Sequence, residues 1–375
     1  MASLLHQLLH DVEQRCSYLI SELDRVQATL PPEAQAYRDK MAALLQRAAQ
    51  HVSTLLNDPG IQHPHFAKNY YYDYKRLAEL IQAMEEGPVL ALGRFSAEDR
   101  MVTMVVHQIC DETGYPFDKP LCSAMSAQYY WALTGMDLIF VPCSESLHLL
   151  GLADLYHELA HFVLFRRANS LIITFQQIID QHFDQAVREG RQKGWTPRSL
   201  DALAEYCQRW KRSWYLEFAS DVLATYWAGP AYGWANVRLC TNMSSELFSI
   251  DAEHPSDDAR AKIVGRMLRK TSCDAEADRI DAKWNELLAL TGQCAPQEYT
   301  LAYPLKLMDD LVDFLFAEYQ QAGLIMRQKQ TLVNGVQVTE LLNNAWEEFE
   351  ARPETFAAFE RQKVEELKRV FGLLS

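Results

Sequence analysis

Apolar positions fall most regularly in the first sixty residues. Leu5, Leu9, Val12, Cys16, Leu19, Leu23, Val26 and Leu30 follow one another in alternating steps of four and three, the spacing of an apolar seam along one helix face. Pro31-Pro32 ends that run, because proline has no N–H to donate and holds the residue before it out of helical geometry. A second seam follows at Met41, Leu45, Ala48, Val52 and Leu55. Two such stripes across a short break predict an antiparallel helical hairpin over residues 3–56, and Asn57-Asp58-Pro59-Gly60 is a turn signal that marks a boundary near residue 60. We read the seams as packing on their own domain. A hairpin that serves self-association or partner binding is the alternative.

Beyond the turn, residues 61–69 look irregular and Tyr70–Met84 has helical periodicity. Val89–Phe95 and Met136–Val141 are short, apolar, β-prone runs and predict the strands. From Leu147 onward helical periodicity dominates, with Pro230, Pro255, Pro296, Pro304 and Pro353 supplying breaks. The fold class predicted is α+β and mostly α-helical, with a small sheet. The division predicted is a hairpin over 1–60, a core over 61–295 with a helical insertion near 171–193, and a C-terminal helical region over 296–375.

Composition narrows the function classes. Apolar residues make up 49% of the chain and charged residues 23%, the balance of a globular protein with a sizeable core. A net charge of -14 argues against nucleic acid and anionic membrane as partners, since both select for lysine and arginine. The amino terminus has no positive region ahead of its apolar residues, and apolar runs stay well short of the ~20 residues of a membrane-spanning helix. The eight cysteines are scattered without a CxxC pair, which predicts reduced thiols and a cytoplasmic location.

The chemistry concentrates in Gly151–Phe165. His157 and His161 stand one turn apart on one helix face, so both imidazoles can reach one Zn²⁺ at ~2.0–2.1 Å. Glu158 lies about 100° around the same helix, placed to take a proton from a water the metal polarises without ligating the metal itself. Leu152, Leu155, Leu159, Ala160, Phe162, Val163 and Leu164 make the helix apolar on nearly every side. Two histidines and a glutamate on a buried helix are costly unless paired or metal-bound. Core histidines bonded to backbone carbonyls are the bland alternative. His6 with His10, and His63 with His65, lack such a cage and are set aside.

A catalytic zinc wants a further protein ligand and an open position. Trp214–Gly229 is a second apolar helix with two acidic groups, Glu217 and Asp221, again one turn apart. Glu217 could complete the coordination, and Asp221 could accept the other N–H of a ligand histidine and so fix its tautomer. His157-Glu158-Leu159-Ala160-His161 followed by Glu217-Phe218-Ala219-Ser220-Asp221 resembles the gluzincin zinc metallopeptidases. The resemblance implies His157, His161 and Glu217 as metal ligands, Glu158 as general base and Asp221 as the group that orients a ligand. It also implies a zincin-like core whose active-site helix packs under a small sheet, with Met136–Val141 as the strand near the site, and a peptide or protein substrate. The 56 positions between His161 and Glu217 leave room for the insertion, which is a candidate lid.

A third element is His254-Pro255 with Arg260 downstream. Some zincins place a His-Pro and an arginine after the glutamate helix, and a histidine or tyrosine there donates to the developing oxyanion. His254 is the candidate catalytic donor, Tyr226 and Tyr232 are its competitors, and a plain helix start after Pro255 explains the same residues. The function predicted is a zinc-dependent hydrolase that cleaves amide bonds. The alternative is a zincin-like metal-binding regulatory or interaction protein without proteolytic activity.

Overall fold

A computed structural model describes residues 2–374 apart from Pro64, Gln128, 243–246 and 251–253. The chain divides into two compact units, one made of residues up to Met104 together with Pro120–Ser146, the other of Val105–Lys119 together with everything from Leu147.

In the first unit, α1 (Ala2–Val26) and α2 (Pro32–Asn57) form the hairpin. Pro32 sits at the first helical position of α2, where its missing N–H leaves nothing unsatisfied. Every seam residue from Leu5 to Leu55 is buried, Leu9, Leu23, Leu45 and Val52 completely. They share one apolar cluster with Leu77, Ile81 and Met84 of α3 (Ala67–Met84), with Ala91 and Leu92 of the short α4 (Leu90–Gly93), and with Leu121, Leu138 and Phe140 of the sheet. The seams are thus covered inside this unit. Helix α5 (Ala97–Thr113) follows, its residues from Val105 onward being counted with the second unit, and Asp99 and the preceding Ser96 cap one another reciprocally at its start.

The sheet has order β1-β3-β2, with β1 (Leu121–Ser126) parallel and β2 (Trp131–Leu133) antiparallel to the central β3 (Leu138–Pro142). All of β3 is buried, which is why its run is apolar at every position rather than at alternate ones. Tyr37 donates to the Met136 carbonyl at 2.8 Å and Lys40 pairs with Asp137 at 2.7 Å, tying α2 to the entry of β3.

The strand predicted over Val89–Phe95 does not form, and Val89–Gly93 is helical instead. Helix α3 continues through a π-helical turn at Glu85–Val89 into α4. Pro88 sits inside that widened turn, and Ala91 and Leu92 reach the same core as Leu77 and Ile81. Packing on one helical face overrides the β preference of Val89 and its neighbours.

The second unit is helical. Its elements are α6 (Asp154–Gln192), α7 (Pro197–Arg209), α8 (Tyr215–Ala228), α9 (Pro230–Asn242), α10 (Asp257–Lys270), α11 (Asp274–Thr291), α12 (Tyr299–Ala302), α13 (Leu305–Gln321), α14 (Val338–Ala351) and α15 (Phe356–Val370). Residues 171–192 are helical and form the distal part of α6, which runs for 39 residues. The prolines fall at helix ends as the sequence predicts: Pro230 opens α9, Pro304 precedes α13 and Pro353 follows α14. Among the described residues no helix is long and apolar enough to cross a membrane.

Candidate metal centre

The site is built from the first turns of α6 and α8. Leu155, Leu159, Phe162 and Val163 bury one side of α6, and Phe218, Val222 and Leu223 bury α8, so both helices are held rigidly. A π-helical turn, Trp210–Trp214, leads directly from α7 into α8, and Trp210 and Trp214 are fully buried within it. Glu217 follows within one turn of it, on the continuing α8.

Three side chains converge. The Nε2 atoms of His157 and His161 lie 3.0 Å apart, Glu217 approaches His157 Nε2 at 3.4 Å, and it approaches His161 Nε2 at 3.7 Å. Their ligand atoms form the one group of three or more candidate metal-binding side chains found among the described residues. Ligand atoms at tetrahedral angles and 2.0–2.1 Å from a common zinc would be roughly 3.3 Å apart, so the triangle has the dimensions of such a centre. The donor chemistry fits as well, because two imidazole nitrogens and a carboxylate suit zinc and similar divalent ions.

Behind the triangle, hydrogen bonds fix the rings. His157 Nδ1 lies 2.9 Å from Asp221 Oδ1 and 3.1 Å from the Tyr232 hydroxyl. Asp221 is fully buried and takes two further bonds from Arg260, Nε to Oδ2 at 2.8 Å and Nη2 to Oδ1 at 2.7 Å. His161 Nδ1 has the Ser220 hydroxyl at 3.2 Å. With both Nδ1 atoms engaged, both Nε2 atoms face the same point.

Burial and charge set the protonation states. Burial pushes the Glu158 carboxyl up to about 7, opposed by the charge of His157 and reinforced by that of Glu217. Burial and the neighbouring positive His157 bring His161 down to about 4. At His157 burial works against the charged form, yet the bonds to Asp221 and Glu217 outweigh it and raise the ring to about 10. Burial disfavours the ionised form of Asp221, but Arg260 outweighs it and holds the group at about 2. Glu217 is likewise held well below the usual carboxylate range, its own burial being overcome by His157 and His161.

Each residue singled out in the sequence has a definite place. His157, His161 and Glu217 meet, Glu158 is buried beside them, and Asp221 lies behind His157. His254 is exposed, with its Nε2 at 3.9 Å from Glu217 Oε1, just ahead of the Ser256 cap that starts α10. Glu253, beside it, lies outside the described residues. Tyr226 is turned away and donates to the Leu324 carbonyl at 3.1 Å. Tyr232 does not sit as an oxyanion donor, because its hydroxyl is committed to Asp221 at 2.5 Å. Sequence reasoning missed Ser220 and the partnership of Arg260 with Asp221. Ser220 had a signal, since it lies three residues after Glu217 on nearly the same helix face.

No family model, curated protein or solved structure matches this chain.

Proposed function

We propose that the chain is a zinc-dependent hydrolase of the gluzincin type, with a zincin-like core, acting on amide bonds of peptides in the cytoplasm. The observation that carries the reading is the triangle of His157 Nε2, His161 Nε2 and the Glu217 carboxylate, with edges of 3.0, 3.4 and 3.7 Å, next to a buried general base. The likeness of the paired HELAH and Glu217–Asp221 motifs to the gluzincins supports peptides as the substrate class.

A divalent cation held there supplies Lewis-acid polarisation and makes coordinated water more acidic. The chain supplies the rest. Glu158, with a carboxyl held near 7 by burial, is suited to accept a proton at neutral pH and to return it to the leaving amine. His157 is held by Asp221 and His161 by Ser220, so neither ring has to reorganise during the reaction. His254, exposed and adjacent to Glu217, is the proposed donor to the developing oxyanion.

Metal content of the purified protein tests this. Wild type should hold about one zinc per chain, His157→Ala should lose it, and Glu158→Gln should keep it while hydrolysis of a mixed peptide library falls ~10²-fold or more. A folded wild type that takes up no zinc overturns the reading. Full zinc loading with equal, background hydrolysis by wild type and Glu158→Gln favours a metal-binding regulatory protein instead.

A further inference from the structure

The geometry points to Tyr232 as a positioning residue of the metal centre, acting with Arg260 through Asp221 to hold His157 in the one tautomer that can ligate. The inference rests on the metal-binding reading above and deepens it.

Arg260 can only donate, and it gives Nε and Nη2 to the two oxygens of Asp221 while Nη2 also lies 3.4 Å from the Tyr232 hydroxyl. Asp221, ionised, can only accept. The single hydroxyl proton of Tyr232 therefore goes to Asp221 Oδ1, at 2.5 Å. That leaves two acceptors in front of His157 Nδ1, the same carboxylate oxygen at 2.9 Å and the phenol oxygen at 3.1 Å. Nδ1 must carry a proton, so Nε2, the atom that faces His161 and Glu217, is the nitrogen left to ligate a metal. Were Tyr232 absent, Asp221 alone would face Nδ1, and the ring could rotate about that single bond. The phenol adds a second point of attachment, and its ring lies nearly parallel to the imidazole, with centroids 6.1 Å apart and planes 9° from parallel.

Tyr232 reaches this place through a tight corner. Gly229 has φ 64° and ψ -139°, a conformation reserved for glycine, and Pro230 starts α9 immediately after it. Asn343 of α14 staples the corner, donating to the Ala228 carbonyl at 2.9 Å and accepting from Ala231 N–H at 3.0 Å. The reversal brings a residue 11 positions downstream back against Asp221.

The test uses the full chain and reads metal rather than turnover. Zinc affinity is measured by chelator competition, and Co²⁺ absorption reports ligand geometry. Tyr232→Phe keeps the ring and should weaken zinc ~10–100-fold with an altered Co²⁺ spectrum. Arg260→Lys keeps the charge but loses the two-point contact, and should fall between wild type and Tyr232→Phe in affinity. Wild type that binds zinc, alongside Tyr232→Phe with unchanged affinity and an unchanged Co²⁺ spectrum, overturns this inference and leaves the metal site standing. Wild type that binds no metal removes both.

Discussion

The hairpin of the first unit and the paired helices α6 and α8 of the second each bury apolar side chains, yet they spend that burial differently. Along α1 and α2 every seam position is apolar, and of the described polar residues only Arg38 is buried, where it donates to the Leu23 carbonyl. In α6 and α8 the apolar residues extend nearly all the way round, and His157, Glu158, Glu217 and Asp221 interrupt them inside the protein. A regular apolar period reports a fold. An ionisable group inside a helix that is apolar on every side reports chemistry, because only a partner or a metal offsets its desolvation.

Two residues, Leu9 and His161, separate these two uses of burial. Leu9→Ala, in the hairpin, should cost ~2–5 kcal/mol of stability and leave zinc stoichiometry unchanged. His161→Ala should do the reverse, removing zinc with little loss of stability in the metal-free protein. Chemical denaturation paired with metal analysis reads both, and zinc loss in Leu9→Ala or unfolding in His161→Ala would erase the distinction. A smaller effect is expected at the corner. Gly229→Ala forces a side chain into a glycine-only conformation with its Cβ at 2.6 Å from Arg327 Cδ, and should cost ~1–3 kcal/mol, read as a lower denaturation midpoint. The smallest belongs to Ser220→Ala. It removes one hydroxyl from His161 Nδ1, so its loss of zinc affinity should stay near the ~10-fold end of the range for such partners. A loss larger than that of Tyr232→Phe would mean that His161, rather than His157, is the ring whose orientation limits binding.

How much was legible follows from whether the signal was periodic. The hairpin could be traced residue by residue because each seam repeats over several turns. The strand β3 was visible as an unbroken apolar run. By contrast β1 reads Leu121-Cys122-Ser123-Ala124-Met125-Ser126, with no β-branched or aromatic residue, and β2 is only three residues long, so neither carried a pattern. Val89–Phe95 misled because a short apolar run fits strand or helix equally, and the helical phase inherited from α3 lies outside that window. In the site, the metal-facing groups came in pairs at one-turn spacing and could be read. Arg260 and Tyr232 act on Asp221 from separate helices, and only the Gly229-Pro230 reversal brings Tyr232 there. Tertiary geometry of that kind leaves no local period.

The π-helical turn before α8 has a consequence for how this chain tolerates change in length. From Pro197 to Ala228 the backbone is one continuous helical rod, with a single wide turn at Trp210–Trp214. Such a turn accommodates one residue more than α-geometry does. Deleting a single residue there would rewind the rod and rotate everything beyond it by about 100°. Glu217 and Asp221 would swing together away from α6, and Trp214 would lose its stacking on Tyr303. Insertions and deletions within 210–214 are therefore barred to descendants of this sequence that keep the site, whereas the turn around Gly194 between α6 and α7 is open to them.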